Sequence, residues 1–113
     1  MRLVTGNRAR ELYDFLRVNP PFSGWRLPPS SKVVFEVKPL DDCFGDYSPD
    51  PHTIRLSTKQ CEDLMDALTT VAHEMVHMRL WQIKDPLWAE HGASFKTLAK
   101  QICNVWGFDE QKF

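Results

Sequence analysis

His73-Glu74-Met75-Val76-His77 lies within the one long stretch of this sequence that keeps a helical period without a break. Upstream of it, Ser57-x-x-Gln60 fits a capping box, in which serine and glutamine side chains satisfy the first unpaired amides of a helix. A helix is therefore expected over about 58–82. At roughly 100° per residue, Cys61, Leu64, Met65, Leu68, Val71, Ala72, Met75, Val76 and Met78 form one apolar arc. The other arc carries Asp66, Thr70, His73, Glu74, His77 and Trp81. One face should enter the core, and the other should gather the groups able to do chemistry.

The spacing H-E-x-x-H has a physical meaning. Helix residues four apart share a face, with Cβ atoms about 5–6 Å from one another. Two imidazoles so placed can close on one zinc ion at roughly 2.0–2.1 Å. Glu74 projects to the flank, within reach of a metal-bound water and outside the coordination sphere, as a general base should be. A catalytic zinc takes three protein ligands and keeps a fourth position open, so a third ligand is needed. A metzincin-type extension would need glycine at position 80 and histidine at 83; Leu80 and Ile83 exclude it. His91 follows the loop 82–90 and is favoured, with Glu90 as the rival and Asp85 behind it.

Working outward, Asn7 to Val18 reads as an amphipathic helix with Ala9, Leu12, Phe15 and Leu16 on one side, stopped by Asn19-Pro20-Pro21. Lys32 to Lys38 is rich in β-branched and aromatic residues and reads as a strand. Cys43–Ser48 and His52–Ser57 read as two more, joined by the turn-prone Ser48-Pro49-Asp50-Pro51. A last helix is expected from about Gly92 to Trp106, with Gly107 as its left-handed stop. The pattern predicts an α+β, zincin-like fold: N-terminal helix, small antiparallel three-stranded sheet, active-site helix and C-terminal helix.

The 113 residues suit a single domain spanning 1–113, with a composition 42% hydrophobic and 26% charged. A formal net charge of −1 gives no support to a nucleic-acid binder. No apolar run approaches the roughly 18–20 residues of a membrane helix, and Met1–Arg8 lacks the apolar stretch of a signal peptide. A monomeric cytoplasmic protein is the expectation. Cys43, Cys61 and Cys103 form no C-x-x-C pair and read as reduced, mostly buried thiols.

The paired motifs, His73-Glu74-x-x-His77 followed by His91-Gly92-x-x-Phe95, resemble those of the SprT-like zinc metallopeptidases. Leu12-Tyr13-x-x-Leu16 and Ile54-x-Leu56-Ser57 extend the likeness upstream. The resemblance implies that His73, His77 and His91 bind Zn2+ and that Glu74 is the catalytic base for peptide-bond hydrolysis. Protein or peptide is then the substrate. Many members carry a cysteine zinc ribbon or DNA-binding segments after the peptidase domain; none is seen before Phe113, which speaks with the neutral charge against dependence on DNA. Arg79 stands where related helices often carry an apolar residue.

Other residues invite lesser roles. The strand at Thr53–Leu56 could offer an edge to an extended substrate. Trp81 and Trp88 could line the site, although core packing is the commoner fate of tryptophan. Tyr47 could stabilise an oxyanion, and His52 reads as a surface residue. Two rival readings stand beside the peptidase: a non-catalytic module that keeps zinc for stability, and a DNA-associated protease activated by a partner.

Overall fold

The structure, a computed structural model, describes residues 5–113; the first half of the Met1–Arg8 stretch lies outside the described residues. Helix α1 spans Gly6–Arg17 and is capped by Thr5, whose hydroxyl accepts from the Arg8 amide at 3.1 Å. Strands β1 (Val34–Lys38), β2 (Gly45–Ser48) and β3 (Thr53–Ser57) follow, then helices α2 (Leu64–Gln82) and α3 (Ala93–Trp106). The α+β class and the order of elements are as expected from the sequence.

The sheet is mixed rather than antiparallel. Its order is β1-β3-β2, with β1 parallel to β3 and β2 antiparallel to it. The reason lies in β3, where Ile54 and Leu56 are fully buried. The strand with the most apolar inner face takes the centre, where both of its backbone edges are paired. Thr53–Leu56 is therefore no free edge. Among the described residues, β1 and β2 form the sheet margins, and β2 lies beside α2.

Helix α2 begins later than the serine suggested. The Ser57 hydroxyl does accept from the Lys59 and Gln60 amides, each at 3.1 Å, but in a turn that also ties Ser57 to the Leu40 carbonyl at 2.7 Å. The helix proper is capped by Asp63, which accepts from the Asp66 amide at 2.8 Å. Leu64 and Met65, expected in the core arc, are exposed in its first turn. From Ala67 to Leu80 the helix is enclosed on nearly every side by α1, the sheet and α3. Thr70, Glu74 and His77 are buried along with the apolar arc. The face reserved for chemistry is thus sunk into the protein.

Two features position this helix. At Gly45 an added Cβ would lie 2.4 Å from the Arg55 carbonyl oxygen and 2.7 Å from Thr70 Cγ2, so only glycine lets β2 approach α2 this closely. At the other end, Arg79 donates to the Trp25 carbonyl at 3.1 Å and Gln82 to the Arg26 carbonyl at 2.7 Å, pinning the loop after α1. That hydrogen bond accounts for a cation at position 79. Helix α3 stops at Gly107, left-handed at φ 75°, as expected. All three cysteines are free, Cys61 and Cys103 buried and Cys43 half-buried. No helix among the described residues is long and apolar enough to cross a membrane.

Candidate metal centre

His73 and His77 are one turn apart on α2, and His91 stands just ahead of α3. The chain between them reverses through a tight series of turns. Asp85 is consumed there: its amide donates to the Leu80 carbonyl at 2.9 Å and its carboxylate accepts from the Leu87 amide at 2.8 Å. Glu90 is exposed. Among the described residues, the cluster able to hold a metal ion consists of His73, His77 and His91, whose ligand atoms all lie within 4.8 Å of one another.

The hydrogen bonds around the cluster assign its tautomers. His73 Nδ1 lies 2.6 Å from the Phe113 main-chain oxygen, and His77 Nδ1 lies 2.7 Å from the Trp88 carbonyl oxygen. Neither oxygen carries a hydrogen to give, so both Nδ1 atoms carry the proton and both Nε2 lone pairs face inward. They meet His91 Nε2 at 3.0 and 3.1 Å. A single N–H on His91 cannot fully satisfy two lone pairs at once, whereas a cation would engage all three nitrogens. Tetrahedral zinc at roughly 2.0–2.1 Å needs its nitrogens about 3.3–3.4 Å apart, only a few tenths wider than the two separations that His91 makes. The donor set fits a zinc-like ion.

Protonation agrees with that use. Burial, with the neighbouring His77 ring adding to it, pushes His73 down to about 4. Burial likewise lowers His77. Both rings are then neutral at pH 7, the form that binds metal. Glu74 is 4% exposed. Burial, helped by the nearby Asp46 carboxylate, drives its own carboxyl up to about 8. It borders two cavities that also reach the histidines, one of about 660 Å³ and one of about 240 Å³.

Several contributors escaped the sequence reading. Gly45 and Asp46 on β2 line the smaller cavity, and Asp46 is held by Arg55 of β3 in a two-pronged ion pair. The glycine inside a strand pattern was the available signal, since it marks a close backbone approach. The main-chain oxygens of Trp88 and Phe113 had no such signal. His52 is half-buried rather than a surface residue, because the turn at Pro51 folds it back across Tyr47. The Tyr47 hydroxyl lies 2.6 Å from His52 Nδ1, and Trp81 and Trp88 stand edge-on to this pair. Trp88 both packs on the core and lines the smaller cavity. Trp81 stays partly exposed.

A family model described as the SprT-like family matches residues 13–111, nearly the whole chain and all three histidines. No curated protein and no solved structure matches it.

Proposed function

The chain belongs to the SprT-like family, and on that footing we propose that it is a zinc metallopeptidase, with His73, His77 and His91 as ligands and Glu74 as general base. The observation that carries this reading is the position of Glu74: a buried carboxyl, costly to place, opening on the cavities beside three convergent imidazoles. A purely structural zinc site has no use for it. Zinc bound there would supply a Lewis acid for the scissile carbonyl and acidify a water.

The protein's own groups would do the rest. Glu74 would accept the proton of the attacking water and deliver it to the leaving amine. Zinc bound beside it would favour the carboxylate against the burial that raises it, leaving a base able to take a proton and return it. The free margin of β2 borders the smaller cavity and is suited to pair with an extended peptide main chain. Substrates would then be unfolded or extended protein segments, chosen more by backbone access than by side chain.

The test is a matched pair of zinc-loaded proteins acting on an unfolded protein substrate. Glu74→Gln should keep about one zinc and lose cleavage by roughly 10²–10⁴-fold. Unchanged cleavage would remove Glu74 from the reaction, and wild type that takes up no zinc would remove the centre. Retention of zinc by a wild type that cleaves nothing would favour the stabilising, non-catalytic module.

A further inference from the structure

We propose that Phe113 is a positioning residue of the metal centre: its main-chain oxygen sets the tautomer and aim of His73, and its ring steadies the imidazole. The inference rests on the metal reading above and goes beyond it, since Phe113 lies outside the residues that match the family model.

The argument begins with a chemical need. A neutral imidazole exists in two tautomers, and only the one protonated on Nδ1 offers Nε2 to a metal. For His77 the acceptor that selects it, the Trp88 carbonyl, lies in the loop that also delivers His91. For His73 it comes from far along the chain. Gly107, left-handed, turns the backbone off the end of α3. A turn then forms on Asp109, whose carbonyl accepts from the Lys112 and Phe113 amides at 3.0 and 3.1 Å and whose carboxylate accepts from the Gln111 amide at 2.9 Å. This turn brings the Phe113 main-chain oxygen to 2.6 Å from His73 Nδ1.

The ring adds a wall. The centroids of Phe113 and His73 are 5.3 Å apart, and Phe95 lies 4.8 Å from His73 on α3. Phe113 is in turn stacked on Phe108 at 6.2 Å. It lines both the cavity of about 660 Å³ and a neighbouring one of about 440 Å³ that reaches His73 and His91 from the α3 side. The imidazole thereby rests against two phenyl rings that also meet each other, their centroids 6.2 Å apart, with a main-chain oxygen on its rear nitrogen. Removing such a partner of a ligating histidine commonly weakens metal binding 10–100-fold.

The experiment measures zinc affinity by competition with a chromophoric chelator, and the His73 tautomer by nitrogen and carbon chemical shifts in the metal-free protein. Deleting Phe113 should weaken zinc 10–100-fold, and in the unmodified metal-free protein His73 should be protonated on Nδ1. Phe113→Ala keeps the main-chain oxygen and should lose less than about tenfold, with Phe113→Tyr close to wild type. The proposal is overturned if His73 is protonated on Nε2 in the unmodified protein, if deletion leaves affinity within about threefold, or if Phe113→Ala costs as much as deletion. Wild type that binds no zinc would instead sink the metal reading; the tautomer, read without metal, would still decide whether Phe113 orients His73.

Discussion

The two sides of the candidate centre are built differently. His73 and His77 stand on a buried helix, each with its rear nitrogen tied to a main-chain oxygen. His91 is exposed, sits at the end of a loop, and among the described residues its ring nitrogen meets only the other two imidazoles. Two ligands therefore have their orientation settled by folding, while the third keeps rotamer freedom that a metal must remove. Such a division suits a site that has to form around an ion and leave one side open to a substrate.

Alanine scanning of the ligands would break or sharpen that contrast with the largest effect. Structural zinc binding of roughly 10–16 kcal/mol, shared over three or four ligands, assigns each about 3 kcal/mol, more than 100-fold. His77→Ala should lose at least that much zinc affinity, and His91→Ala measurably less, because His91 gives up more freedom on binding. Equal losses in a chelator competition would mean that the loop ligand is as preorganised as the helical ones.

The helical side carries its own strain, which pH should reveal next. In the metal-free protein Glu74 titrates near 8 rather than its ordinary 4.5, because it is buried and faces Asp46. Between those values the folded state holds a proton that the unfolded state has released, so stability falls as pH rises through the window. Glu74→Gln has no such dependence. In chelator it should be increasingly more stable than wild type from about pH 4.5 to 8, by a few kcal/mol at most. Zinc nearby would favour the carboxylate and shrink the gap. A gap in urea denaturation that ignores both pH and zinc would show that Glu74 is not buried as described.

Scaffold and ligands can also be separated. Gly45→Val places carbon against the Arg55 carbonyl and Thr70 and should cost about 1–3 kcal/mol of stability. It would push β2 off α2 while leaving every ligand in place. Zinc affinity that falls less than stability would show the ligand cluster to be independent of the strand. The smallest effect belongs to Asp46→Asn. Its pair with Arg55 is substantially exposed and worth under about 1 kcal/mol, yet its loss should lower the Glu74 pKa, visible by carboxyl carbon shifts in the metal-free protein. No downward movement would mean that burial alone raises Glu74.

What could be read from the sequence follows a physical rule. The i, i+4 spacing of His73 and His77 is local geometry, and so is the glycine stop at Gly107; neither needs a partner elsewhere. The strand order was beyond reach because pairing is decided by which strand buries most on both edges, and nothing within a strand announces its neighbour. The start of α2 was misplaced because Ser57 makes the same amide hydrogen bonds in a turn as it would in a cap. The arc containing Glu74 and His77 could be read as the face for chemistry but not as a buried one, since a helical pattern reports polarity and not how many elements crowd around it.

The sequence alone thus determined the motif helix, the pair of imidazoles on it, and a short set of partners for them, because side-chain identity and helical period are carried residue by residue. Tertiary structure decided that His91 and not Glu90 or Asp85 returns to the pair, that Glu74 is buried, and that Trp88 and Phe113 supply the acceptors behind the histidines. Every residue has a main-chain oxygen, so only the path of the folded chain can single out which two of them matter.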